Sequence, residues 1–219
     1  MYSIRSVGVA HGTREGKHFS KTGFVAVKVA SQKGVHMTSS KAPLPRSERY
    51  GTPAIFFHWA LALLITVLIG LGWYMMSVEE EPGSDWLFRL HISIGITAAA
   101  LIALRVFWRL GHVPAALPTS LPVWQAQASR YTHKLLYLLL ILMPTTGYLG
   151  ASFSGHGVAY FGVPTPAWAA KNDSLKEQFF TIHSWIAWVL VAAVAFHVLA
   201  ALKHLWMDRD GVFQRMWPY

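Results

Sequence analysis

The sequence predicts an all-α integral membrane protein: a four-helix bundle, up-down-up-down, with both termini cytoplasmic. Three observations predict it. Of 219 residues, 53% are hydrophobic and only 13% charged, about half the roughly 25% charged residues of an ordinary soluble domain. The apolar residues gather into four long runs. The charged residues sort by sign onto alternate connections. Cysteine is absent, which excludes disulfides, thiolate zinc sites, iron–sulfur clusters, c-type haem attachment and a cysteine nucleophile.

A bilayer core about 30 Å thick takes roughly 20 apolar residues as helix. The first span is predicted from Ala54 to Met76, uncharged throughout, with Pro53 suited to a first-turn position. The second runs from Leu87 to Trp108, with Arg89 and Arg105 near its ends, where long side chains snorkel. The third runs from Tyr131 to Ala151 and contains Pro144, which predicts a kink. The fourth runs from Gln178 to Leu202 without a Lys, Arg, Asp or Glu. Between them lie EEEPGSD, a Pro-punctuated stretch from Gly111 to Gln127, and a Gly/Pro/aromatic stretch from Ser152 to Glu177.

Basic residues on a connection mark the cytoplasmic side. The head, the second connection with its flanks (Arg105, Arg109, Arg130, Lys134) and the tail (Lys203, Arg209, Arg215) are basic. The first connection is acidic at Glu79, Glu80, Glu81 and Asp85, and the third balances Lys171 and Lys176 against Asp173 and Glu177. Both termini of this multi-pass chain are therefore placed in the cytoplasm, with the first and third connections facing outward. Trp59, Trp73, Tyr74, Trp86, Trp108 and Trp206 fall near the expected interfaces, as aromatic belts require.

Residues 1–48 form a basic head; the first fifty residues hold nine Lys/Arg against Glu15 and Glu48. Rich in Gly, Ser and Lys, the head is expected to be disordered. It lacks the apolar core of a secretory signal. A transit peptide would fit its composition, but the pattern is not strongly amphipathic. Met37 opens MTSSKAPLPRSERYG, an ordinary polar leader, so residues 1–36 read either as an over-extended gene start or as a real extension. No aromatic or structured pattern accompanies the charge, so nucleic acid is not expected as a partner.

An ionisable residue inside a span is costly and points to function. His58, His91, His183 and His197 all lie within spans, and His133 stands at the start of the third. His183 and His197 are 14 residues apart, about 21 Å along a helix and about 40° short of four turns. They share a face at opposite depths. By depth, His91 is the partner of His183 on the outer side, and His58 is the partner of His197 on the inner side. Two stacked bis-His pairs in a four-helix bundle are what two b-type haems require. Small residues along the same helices (Gly70, Gly72, Gly95, Ala98, Ala99, Ala187, Ala192, Ala193, Ala195) suit a flat macrocycle, although ordinary helix packing uses them too.

The bland reading of one membrane histidine is a polar packing residue; four at matched depths are harder to reach by chance. A His-lined metal transporter is the rival, but such a site wants carboxylates or thioethers at the same depth. The spans hold no Asp or Glu, and Met75, Met76 and Met143 do not cluster with the histidines. Arg105, Arg109, Arg130 and Lys134 are candidate partners of haem propionates, and equally plain topology signals. His133 reads as either a capping or a propionate-binding residue. His204, two turns past His197, is a quinone candidate with interfacial snorkelling as its default. His112 and His156 lie in connections, and His11, His18 and His36 in the head.

The stretches RYGTPAIFFHW, HISIGI with ALRVFWRL, HKLLYLLLILMPTTGYL, and IHSWIAWVLVAAVAFHVLAALKHLWMDRDGVFQRM resemble the bacterial cytochrome b561 family, which shares a domain with the cytochrome b subunits of nickel–iron hydrogenases. The resemblance covers residues 49–219 and leaves out only the head. It implies that His58, His91, His183 and His197 are the axial ligands of two b haems. It also implies electron transfer in the inner membrane in exchange with quinone, ubiquinone above all. One branch of the family oxidises superoxide at the outer face. Arg89, Lys171 and Lys176 could attract such an anion there, opposed by Glu79–Glu81. The alternative is an anchoring subunit that takes electrons from a periplasmic partner, with the third connection (Pro164, Pro166, Trp168) as its docking surface.

Overall fold

The computed structural model describes residues 49–112 and 121–218; the head, its question of a start at Met37, and His11, His18 and His36 lie outside them. Four long α-helices dominate: α1 (Thr52–Ser77), α2 (Asp85–Gly111), α3 (Val123–Phe153) and α4 (Asp173–Lys203). Each is long and apolar enough to cross a membrane.

Local chemistry sets the helix ends. Pro53 opens α1 from the first turn, where its missing N–H costs nothing. Glu79–Gly83 forms the turn to α2, with Gly83 at φ +86°, and Asp85 places a carboxylate in the first turn of α2. The side chain of Asn172 caps α4 by accepting from the Leu175 amide at 3.1 Å. That cap carries α4 beyond the apolar run expected from Gln178, and α3 likewise starts at Val123 rather than Tyr131. Apolarity marks what lipid covers, whereas caps and prolines mark where a helix ends. Pro144 sits inside α3.

The interior is thin. Leu139, Leu190 and Ala193 form a buried cluster between α3 and α4, with Leu136, Met143 and Ile186 packed on it. Gly150 lets the two helices close up; a Cβ there would lie 2.7 Å from the Phe180 ring. Leu63, Trp185 and Leu199 instead face outward, the inverse of a soluble protein and the arrangement lipid requires.

The third connection, the Gly/Pro/aromatic stretch, carries a short hairpin. Strands β1 (Ala159–Tyr160) and β2 (Val163–Pro164) pair antiparallel. Its two turn residues, Phe161 and Gly162, have φ of +46° and +87°, the positive values that a tight two-residue hairpin demands. After α4, a π-helical turn (His204–Asp208) and a 3-10 turn (Phe213–Met216) fold the tail back on α1. The Tyr50 amide donates to the Arg215 carbonyl, and the Trp59 indole N–H donates to the Met216 carbonyl at 2.6 Å.

Candidate functional site

Two pairs of imidazole rings lie between the helices. On one side of the bundle His91 of α2 and His183 of α4 have ring centres 6.3 Å apart, their planes crossing at 78°. At the other end His58 of α1 and His197 of α4 have centres 6.2 Å apart, crossing at 67°. These are the partners that depth along the sequence selected. A metal-bound imidazole nitrogen sits about 2.0–2.1 Å from a first-row metal, and the ring centre lies roughly 1 Å behind it, so two rings gripping one metal have centres roughly 6 Å apart. Both pairs match that separation.

The polar atoms of the rings are arranged for the same task. His183 Nδ1 lies 3.0 Å from the Met143 carbonyl of α3. A carbonyl can only accept, so Nδ1 carries the proton and Nε2 keeps its lone pair; such a partner fixes ring orientation and raises ligand basicity. Thr146 Oγ1 lies 3.3 Å from the same Nδ1. Gly147 makes this approach possible, because a Cβ there would lie 3.0 Å from His183 Cε1. Across the pair, His91 Nδ1 is buried without a hydrogen-bond partner, a debt of about 1–3 kcal/mol unless something meets it. Gly72 faces His91 Cε1 at the ordinary distance of 3.5 Å. Beside half-buried Gly95, one turn from His91, a Cβ would meet nothing within 4 Å. A flat group bound between these rings fits the open space beside Gly95.

A third ring joins the His58/His197 pair. His133 has its ring centre 5.4 Å from that of His197. Its Nδ1 donates to the Ser129 carbonyl at 2.7 Å. His133 stands at the edge of the third span in sequence, and the register of α3 against α4, which one chain of letters does not show, brings it to His197. Of the four basic candidates, Arg105 stands nearest to a role. It is within electrostatic reach of His58, His133 and His197, and its Nη1 donates to the Ala54 carbonyl at 3.0 Å. Arg109 is exposed but within electrostatic reach of His133. Arg130 is exposed, and Lys134 lies over the ring of Tyr131 on its own helix.

Arg215, in the sequence only one of the basic tail residues, is buried by the returning tail at the end of the bundle where α1 begins, with its guanidinium 5.4 Å from the Tyr50 ring centre. His204 does not stand free at the interface. Its Nδ1 meets Asp210 at 2.6 Å and Asp208 at 3.4 Å, and Lys203 pairs with Asp208 as well.

A family profile described as Prokaryotic cytochrome b561 matches residues 49–219. The chain belongs to the prokaryotic cytochrome b561 family. It is 33% identical over 174 residues to Cytochrome b561 homolog 2 of Escherichia coli (strain K12), a match covering 77% of this chain and 91% of the relative. It is 26% identical to the Yersinia pestis protein named "Probable superoxide oxidase CybB", covering 78% and 97%. A third relative, at 23% identity and covering 76% and 85%, is the "Probable Ni/Fe-hydrogenase B-type cytochrome subunit" of Rhizobium leguminosarum bv. viciae. Membership, with four membrane-crossing helices, makes this a bacterial membrane protein, and the family implies haem b.

Proposed function

We propose that the protein is a di-haem membrane cytochrome that transfers electrons between the periplasmic side and the quinone pool of the inner membrane. One observation carries the reading: two pairs of histidine rings, 6.3 and 6.2 Å between centres, held at opposite heights by one helix. In this reading His91 and His183 would hold one haem b, and His58 and His197 would hold the second. Haem iron supplies reversible one-electron chemistry. The chain supplies the rest. With two imidazoles offered to each iron, a bound haem would be disposed to pass electrons outward and not to bind oxygen. The Met143 carbonyl orients His183. Arg105, beside the inner pair, favours negative charge there and is the first candidate for a propionate; Arg109 follows, with Arg130 and Lys134 more remote.

The ring contacts also support alternating helix directions. His183 early in α4 meets His91 early in α2, whereas His197 late in α4 meets His58 early in α1. With basic connections on the inner side, both termini are then cytoplasmic. Residues 49–219 form the functional domain in this reading.

Ubiquinone is the proposed acceptor, and superoxide a proposed donor, a reading supported by the Yersinia relative. The hydrogenase-cytochrome relative supports a second reading, an anchoring subunit that receives electrons from a periplasmic protein. The test uses purified protein in liposomes with ubiquinone. Superoxide generated outside reduces the haems, and ubiquinol follows, if the first reading holds. Haems that ignore superoxide but are reduced by ubiquinol favour the second. A preparation with no Soret band and with bound zinc or copper overturns both.

A further inference from the structure

The third connection does not end where the membrane would be expected to begin. Residues 154–170 contain no Lys, Arg, Asp or Glu. Their hairpin turns back along α2 instead of standing above it. The Phe161 amide donates to Ser93 Oγ at 3.0 Å, and the hydroxyls of Tyr160 and Thr97 are 3.2 Å apart. Counted from Asp85 at the start of α2, Ser93 lies about 12 Å and Thr97 about 18 Å along the helix. That is past His91 and close to the middle of a helix that ends at Gly111.

We propose that this connection is a re-entrant hairpin whose tip, Tyr160 to Val163, is seated among the phospholipid acyl chains of the leaflet at the α2 N-terminal end. Three features fit that partner. Phe161 and Val163 are 60% and 67% exposed, so their apolar side chains point away from the protein at hydrocarbon depth. Non-helical backbone at such depth needs partners for its polar groups. Ser93 supplies one for the Phe161 amide: its hydroxyl donates to the Arg89 carbonyl and still accepts from Phe161. At the hairpin base, the Thr165 amide and hydroxyl both donate to the Val158 carbonyl, at 2.8 and 2.9 Å. The positive φ of Phe161, unusual for an aromatic residue, is thereby held from inside the bundle. A surface made for a soluble periplasmic protein would need neither the depth nor the buried acceptor.

The inference rests on the membrane-crossing helices and not on the haem assignment, so either can fail alone. With no native cysteine, the full haem-loaded chain accepts single labels directly. Val163→Cys and, separately, Phe161→Cys receive a nitroxide in phosphatidylcholine–phosphatidylglycerol liposomes, with Lys171→Cys as the aqueous reference. Relaxation by oxygen, which concentrates in lipid, is compared with relaxation by a water-soluble nickel chelate. We expect the oxygen-to-chelate ratio at 161 and 163 to exceed that at 171 on the order of tenfold, as burial in hydrocarbon requires. Ratios at 161 and 163 equal to that at 171 would overturn the proposal and return this surface to water or to a soluble partner.

Discussion

Gly147 offers the most discriminating substitution. A Cβ at this position would lie 3.0 Å from Cε1 and 3.1 Å from Nδ1 of His183. In Gly147→Val the ring must retreat by several tenths of an ångström, further than the 3.0 Å bond from Nδ1 to the Met143 carbonyl tolerates. Losing that bond directly costs about 0.5–1.5 kcal/mol. Loss of such an outer partner of a ligand typically weakens metal binding about 10–100-fold. Helix propensity changes little, since valine is only modestly better than glycine in a helix interior. The expected phenotype is therefore local: a folded protein with weakened or lost haem at the His91/His183 pair. Any haem retained there should have a raised midpoint potential, because a less basic ligand stabilises ferric iron less. Gly72→Ala is the matched comparison, with its new methyl 3.5 Å from His91, and should leave both haems unchanged. Haem quantification and redox titration of the two variants provide the assay. A Gly147→Val protein with full haem content and unaltered potentials would refute the positioning of His183 by α3.

Three further outcomes follow from the inner side and the ring planes. His133→Phe should keep two haems per chain, because His58 and His197 supply both ligands; loss of one haem by pyridine haemochrome assay would make His133 a ligand instead. Arg105→Ala removes a positive charge near the His58/His197 pair and the hydrogen bond to the Ala54 carbonyl. It should lower the midpoint potential at that pair and destabilise the fold by about 0.5–1.5 kcal/mol, read by redox titration and thermal melting in detergent; an unchanged potential would contradict its placement. If iron were held between rings whose planes cross at 67° and 78°, frozen-solution EPR of the oxidised protein should show two strongly anisotropic low-spin signals with large gmax, and two ordinary rhombic signals would contradict the ring geometry.

Much of the architecture was legible because a bilayer simplifies the code. Four apolar runs and the sorting of lysine and arginine are one-dimensional signals, and Thr52–Ser77, for example, brackets its expected span closely. The depth of each histidine is also one-dimensional, so the pairing of His183 with His91 could be read from spacing on a single helix. What remained hidden depends on how separate segments meet. His133 joins the inner rings only through the register of α3 on α4. The Met143 carbonyl is main chain and leaves no letter in the sequence, and Gly147 looked like any other small residue of a span. Arg215 was counted among the basic tail residues, yet docking of that tail on Tyr50 and Trp59 buries it. The hairpin was hidden because its turn carries Phe161 at a positive φ, a conformation that residue rarely adopts without an external partner such as Ser93.

Haem counting on three proteins tests the central claim most directly: wild type, His91→Ala and His197→Ala, each by pyridine haemochrome against protein concentration. Two haems in the wild type, with one remaining in each variant and a different component of the reduced-minus-oxidised spectrum missing from each, is the expected result. A wild type that binds a single haem, or variants that both lose the same spectral component, would contradict it.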